Sequence, residues 1–246
     1  MTRGGPTRWS RAGLLTLAGA AVAALVAAGA VTAGGGHATA MAVPRTVPRV
    51  VKPPIVWRPI VFGEKRKAET ARYCKRHYGS NSYLLTPKVI VLHFTGGSTW
   101  QAAWNYFSHD VPDPEFHELP GPVSHFIIGK DGTIYQTISL SYRGRHCYGL
   151  NYVAIGIEFV QELPAGKSSH WADVQILHRT KQITAGLKLV KWLQARYRIK
   201  LSNVIGHSMA HSSPYYRDLL HPRYPDHSDW QKVDVLAFRA RLASVN

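Results

Sequence analysis

The chain has 246 residues, 45% of them hydrophobic and 11% aromatic, which allows one sizeable core and excludes a disordered composition. Lys and Arg number 30 against 14 Asp and Glu, a formal charge of +16, so the surface suits an anionic partner without choosing among nucleic acid, acidic lipid and an anionic wall polymer. The only cysteines, Cys74 and Cys147, are too few and too far apart for a Cys-rich zinc finger.

Residues 1–40 read as an export signal. Arg3, Arg8 and Arg11 form a basic head, residues 12–33 an uncharged Ala/Leu/Val/Gly run, and Ala38-Thr39-Ala40 a small-x-small cleavage site. The run is also long enough to span a bilayer, so an uncleaved membrane anchor is the alternative. The expected location is therefore secreted or at a cell wall, or else anchored and facing outside. An oxidising compartment permits a disulfide, and a Cys74–Cys147 bridge is expected. Residues 41–60 carry Pro44, Pro48, Pro53, Pro54 and Pro59, which favours an extended linker over a helix. The folded domain is expected to span residues 61–246.

Residues 88–94 read as a fully apolar strand. Ser98 is a candidate N-cap for a helix over residues 99–107, with Trp100, Trp104 and Phe107 on one face. The two tryptophans read as core residues in preference to sugar platforms. A loop follows over 109–122. Residues 124–128 and 133–138 read as strands joined by "GKDGT", where Asp-Gly suits a tight hairpin. Residues 154–160 form another strand. The longest helix is expected over 174–196, with Ile176, Thr180, Ile183, Leu187 and Val190 toward the sheet. A short strand at 203–207 and a closing helix at 233–242 complete the pattern. Strands alternating with helices, plus one hairpin, predict an α/β fold with a central mixed β-sheet flanked by helices.

Two apolar strands end in histidine: "VIVLHFTGG" in His93 and "NVIGHSMA" in His207. One such histidine is an ordinary core residue. Two make a metal site at a sheet edge the better reading, because imidazole suits zinc and a catalytic zinc needs three protein ligands. "YPDHSDW" offers Asp226, His227 and Asp229, or else a solvated turn. Glu158 interrupts an apolar strand, a costly place for a carboxylate unless it is paired, used or turned outward.

Four blocks carry a resemblance: "VIVLHFTGG", "VSHFIIGKDGTIYQ", "HCYGLNYVAIGIEFV" and "VIGHSMA" followed by "DHSDW". They span residues 88–230, and the chain resembles the zinc-dependent N-acetylmuramoyl-L-alanine amidases of the type-2 family, which share a fold with the peptidoglycan recognition proteins. The resemblance implies one Zn2+ per chain, held by His93, His207 and a downstream aspartate or cysteine, here Asp229. It implies Glu158 as the group acting on the attacking water and His227 beside the reacting carbonyl. His146 and Asn151 would be substrate-cleft residues, with His125 a candidate for the same groove. Two departures stand out: Phe94 occupies a position where many members have a second histidine, and His227-Ser228-Asp229-Trp230 replaces a Lys-x-Asp-Pro-Gly pattern. His211 and His221 read as loop or groove residues.

The implied activity is cleavage of the amide between the lactyl group of N-acetylmuramic acid and L-alanine of the stem peptide. The alternative is a recognition module of the same fold that binds peptidoglycan without cutting it. That class loses a ligand, whereas all three ligand positions can be filled here. Peptidoglycan is the expected partner, with anionic cell-wall polymers a further one suggested by the charge. Nucleic acid is not expected, because the basic residues are scattered and the chain looks exported. Membrane contact is expected only with an uncleaved N-terminus, and the chain is expected to be a monomer.

Overall fold

The structure is a computed structural model, and it describes residues 50–222 and 227–244. The expected export signal, residues 41–49 of the expected linker and Asp226 lie outside the described residues. Among those residues no helix is long and apolar enough to cross a membrane.

Six strands form one sheet in the order β1-β4-β3-β5-β2-β6. They are β1 (Val56–Trp57), β2 (Val89–Gly96), β3 (Phe126–Ile128), β4 (Ile134–Gln136), β5 (Ala154–Glu162) and β6 (Val204–Gly206). Only the β3–β4 hairpin is antiparallel; the other neighbours run parallel, so the sheet is mixed as expected. At the hairpin, Gly132 has φ 88 and a side chain there would meet the Lys181 carbonyl at 2.7 Å. Glycine is the residue that fits both demands.

Alternation along the two central strands decides where the chemistry emerges. Ile90 and Leu92 on β2, with Ile155, Ile157 and Phe159 on β5, join the large core beneath the helices α3 (Ser169–His178), α4 (Thr180–Tyr197) and α5 (Lys232–Ser244). Val89, Val91 and Ala154 point the other way, into a smaller cluster with Cys147 and Leu150. Side chains alternate faces along a strand, so His93 and Glu158 follow the second set, away from the helical layer. Phe94 follows the first set and packs on the large core.

Several expectations are corrected. The expected linker is too long: Val56 and Trp57 pair with Tyr135 and Gln136, and Ile60 N–H donates to the Thr137 carbonyl. The prolines keep this stretch extended, which also suits an edge strand. Helix α1 (Glu64–Tyr78) was not foreseen, because its buried face consists mainly of Arg66, Glu69, Thr70, Tyr73, Cys74 and His77. Its period is helical but its residues are mostly polar. The long helix is two helices, broken at Arg179, whose ψ of 89 leaves the helical region while its guanidinium reaches Gln161 and Gln182. Thr180 opens the second helix and is exposed instead of facing the sheet. In α2 (Trp100–Ser108) the cap is Thr99, one residue beyond Ser98, and its hydroxyl accepts from Ala102 N–H at 3.2 Å. Trp100 stacks on Tyr135 and Trp104 donates to the Arg58 carbonyl, so both serve packing.

The expected disulfide is absent: Cys74 and Cys147 are both free and buried. Cys74 packs with Tyr73 and Tyr78 on α1, whereas Cys147 belongs to the cluster under β2. The two thiols serve separate clusters.

Candidate active site

His93 on β2 stands in register with Glu158 on β5, and its neighbour Leu92 is in register with Gly206 on β6. The chain leaves β6 straight into a 3-10 turn over His207–Ser212, which sets the second imidazole beside the first. Their ring centroids lie 4.5 Å apart. Asp229 closes the set: its Oδ2 is 3.2 Å from His93 Nδ1 and its Oδ1 is 3.1 Å from His207 Nδ1. One ligand atom from each of the three lies within 4.8 Å of the others.

Asp229 is held by its neighbour. Trp230 is fully buried, and its indole N–H donates to the His93 carbonyl at 3.1 Å. Its own N–H donates to Asp173 Oδ1, and Ser208 Oγ donates to its carbonyl at 2.7 Å. A side chain at Gly206 would meet that carbonyl at 1.9 Å, so strand β6 needs glycine there. Trp230 and Asp173 are supports that the sequence reading missed. The Trp in "DHSDW" was the available signal, since a bulky aromatic beside an aspartate in a polar turn asks to be buried.

Burial pushes the His93 imidazole down to about 4, aided by the charge of His207 and opposed by Asp229. His207 moves the other way: burial alone would lower it, but Asp229 and the adjacent Cys147 raise it well above the usual histidine range. Burial works against the ionised Asp229, yet the two histidines hold it far below the usual carboxylate range. Two imidazoles converging on one carboxylate are the donor types that bind zinc. Glu158 stands close by, 8% exposed, and burial pushes its carboxyl up to about 8. The negative charge of Asp229 adds to that shift, while the Ser124 hydroxyl, donating at 2.8 Å, opposes it.

These groups open into a cavity of about 460 Å³ whose wall includes Tyr106, Phe107 and Leu163. A smaller space of about 190 Å³ adjoins it, lined by Asp113, Glu115, Tyr148 and the shared His146, His207 and His227. His227 stacks on His207 at 4.2 Å between ring centroids, and its Nε2 lies 3.5 Å from Glu115 Oε1. Its side chain is 38% exposed, at the mouth of the cavity.

The expected cleft residues divide. His146 lines the cavity, with Nδ1 3.1 Å from His93 Nε2. Asn151 also borders the smaller space, but its amide works inward: Oδ1 accepts from the His146 and Cys147 N–H groups and Nδ2 donates to the Tyr73 hydroxyl. It braces the loop instead of offering a ligand contact. His125 is corrected outright. It is fully buried, donates to the Tyr142 carbonyl and accepts from Gly156 N–H, so both ring nitrogens are spent on backbone. His211 and His221 stand outside the three-residue cluster, His211 against Tyr216 and His221 stacked on Phe116.

The family model described as N-acetylmuramoyl-L-alanine amidase matches residues 83–216, more than half of the chain. The match ends before His227 and Asp229. Peptidoglycan recognition protein 3 of Mus musculus is 30% identical over 78 residues, covering 29% of this chain and 22% of that protein. The protein of the same name from Homo sapiens is 42% identical over 36 residues, 15% of this chain and 11% of that one. The match thus spans under a quarter of the length of these curated relatives. Among solved structures, the N-acetylmuramoyl-L-alanine amidase LysC from Clostridium intestinale URNW is 21% identical, with a TM-score of 0.47 over 78% of this chain and 99% of that one. The structure of PlyL is 16% identical, with a TM-score of 0.45 over 77% and 96%.

Proposed function

The chain belongs to the N-acetylmuramoyl-L-alanine amidase family, and from that premise we propose that it is an exported, zinc-dependent hydrolase acting on peptidoglycan. The bond cut is the amide between the lactyl group of N-acetylmuramic acid and L-alanine of the stem peptide. One observation carries this reading: ligand atoms of His93, His207 and Asp229 converge within 4.8 Å beside a buried carboxyl, at the floor of an open cavity.

The donor set fits the metal. Two imidazoles and one carboxylate, with a side open to a cavity, match a catalytic and not a structural zinc site. When bound, zinc supplies Lewis acidity, lowering the pKa of a water and polarising the scissile carbonyl. The protein's own residues do the rest. Glu158 is suited to take the proton of the attacking water and return it to the leaving amine, because it stands in register with His93 and borders the same cavity. The Ser124 hydroxyl fixes which way that carboxyl points. His227, at the mouth and stacked on His207, is suited to stabilise negative charge growing on the carbonyl oxygen. Asp229, raised on the buried Trp230, stays ionised between the two imidazoles.

Export rests on residues 1–40, and wall attachment on the charge of +16. A basic exported chain would bind anionic wall polymers, and that binding would weaken with salt. Salt-insensitive binding to isolated walls would count against this.

The second reading is a recognition module that binds peptidoglycan without cutting it. The names of the two curated relatives favour it. Incubation with purified peptidoglycan separates the two. The hydrolase releases new alanine amino termini, stops with a chelator and resumes with added zinc. Binding without release would establish the module instead.

A further inference from the structure

The excess of positive charge is unevenly placed. Residues 174–217 hold eight Lys and Arg and no Asp or Glu, which is half of the chain's formal +16. Six of these cations belong to helix α4 and the turn that follows it. The helix buries Ile183, Leu187, Val190 and Leu193 in the large core beneath the sheet. Its other side faces solvent. Lys181, Lys188 and Arg196 are exposed there, Lys191 is half-buried, and the exposed Arg198 and Lys200 continue the line past the helix end.

Other surface cations have partners. On α1, Lys65 meets Asp110 at 2.9 Å, Lys67 meets Glu64 at 2.7 Å and Arg76 meets Glu118 at 3.2 Å, and on the hairpin Lys130 pairs with Glu162. Among the described residues, none of the six cations from Lys181 to Lys200 forms an ion pair. Asp131 feels the charge of Lys181, but its two oxygens accept from the Thr133 N–H and hydroxyl.

Helix physics does not account for this line. Lys181 sits in the first turn of α4, where a cation opposes the helix dipole, and no acidic residue stands there to offset it. Lys188 and Lys191 carry like charge one turn apart, which is also mildly unfavourable. Only Arg196, in the last turn, is placed where the dipole favours a cation. The half-buried Trp192 gathers more charge at that end, with Lys52 Nζ 5.4 Å and Arg196 Cζ 5.7 Å from its ring centroid.

The spacing narrows the partner. Along the helix axis Lys181 and Lys188 are about 10 Å apart, and Lys188 and Lys191 about 5 Å. Such a line suits single charges strung along a chain, not a compact anion. Between the cations the exposed residues are Thr184 and Ala195, so the face carries no large apolar group to enter a bilayer. With Lys52 and Arg196 over its ring, Trp192 offers no open platform for a nucleic-acid base.

We propose that the outer face of α4 and the turn after it, from Lys181 to Lys200, binds a linear phosphodiester polymer of the cell wall. Helix α4 covers the large-core side of the sheet, whereas His93 and Glu158 leave the opposite side. A polymer bound there leaves the cavity open and holds the chain against its substrate. The identity of the partner rests on the exported-hydrolase reading above; the charge pattern does not.

The test uses the full chain, with poly(glycerol phosphate) as the probe. Binding should weaken steeply with salt. Lys181→Gln, Lys188→Gln, Lys191→Gln and Arg196→Gln, combined, should lower affinity about 10-fold or more and flatten that salt dependence. The combination Lys65→Gln, Lys67→Gln, Arg72→Gln and Lys75→Gln on α1 removes the same charge and should leave affinity within about 2-fold. Should the fourfold α4 variant misfold, Lys181→Gln with Lys188→Gln, and Lys191→Gln with Arg196→Gln, serve in its place, each pair lowering affinity about 3-fold or more. The α4 variant should cut a soluble muropeptide at the parent's rate and isolated walls more slowly. A parent that does not bind the polymer overturns the proposal. So do equal losses in the α4 and α1 variants, which would reduce the binding to net charge, and so does a preference for anionic-lipid vesicles or duplex DNA over the polymer. A parent that binds the polymer through α4 yet cuts no peptidoglycan upholds the surface and overturns the hydrolase reading instead.

Discussion

Glu158 and His93 occupy the same register position on two adjacent parallel strands, so the carboxyl suited to carry a proton and an imidazole suited to hold a metal leave one sheet face side by side. Neither depends on a loop for its direction. Glu158→Gln keeps the shape and the contact with Ser124 but cannot cycle a proton. Zinc content should stay at about one per chain while turnover on peptidoglycan falls about 10²- to 10⁴-fold. Metal analysis alongside kinetics checks this, and normal turnover would remove Glu158 from the mechanism.

The ligand set makes a separate claim. His93→Ala, His207→Ala and Asp229→Ala should each lose the metal after dialysis, whereas Asp226→Ala should keep it. Full zinc occupancy in the Asp229 variant, with loss in the Asp226 variant, would move the third ligand.

Gly206 lies against the Trp230 carbonyl, where a methyl group would sit at 1.9 Å. Gly206→Ala must displace Trp230, and with it Asp229. Unfolding in urea should show a loss of about 3 kcal/mol or more. An unchanged midpoint would mean that the 207–230 segment yields more easily than its hydrogen bonds suggest.

Asp113 governs an acid limb of stability. Burial would raise its pKa, but the backbone N–H groups of Phe116 and Glu118 and the Arg145 guanidinium outweigh that and hold it at about 2. A carboxyl depressed in the folded state adds stability above its ordinary pKa, and that stability disappears as pH falls through the folded value. The loss should therefore run from about pH 4 down to about pH 2. Asp113→Asn should cost about 1–3 kcal/mol at pH 7 and flatten this limb. Equal slopes in the two proteins would contradict it.

Because Cys74 and Cys147 are free, a reducing agent should leave the unfolding temperature unchanged. A native bridge would be worth about 2–5 kcal/mol, so a marked drop on reduction would restore the disulfide.

The parts of the site that could be read from sequence are those where a polar residue breaks an apolar run. His93, Glu158 and His207 all announce themselves this way, since strand patterning makes the exception visible. Helix α1 was hidden for the opposite reason: residues 66, 69, 70, 73, 74 and 77 recur at helical spacing but are mostly polar or charged. Its ends were readable all the same, with Glu64 in the first turn and Gly79 at φ 70 after the last. The break at Arg179 carries no glycine or proline to announce it. His125 resembled a groove residue because its partners, the Tyr142 carbonyl and Gly156 N–H, come from distant parts of the chain. Partners of that kind are set by topology, which local patterning does not contain.

His93 and Asp229 meet across 136 positions of the chain. During synthesis the first imidazole exists long before the carboxylate that completes its set, and the strand carrying Glu158 pairs in between. The cluster of His93, His207 and Asp229 therefore cannot assemble until the chain has been made as far as residue 229. Once closed, a bound metal would act as a clasp between the early and late halves of the fold. At a free concentration one hundred times its dissociation constant it would add about 2.7 kcal/mol to the folded state. Scavenging the ion would thus loosen the architecture as well as silence it.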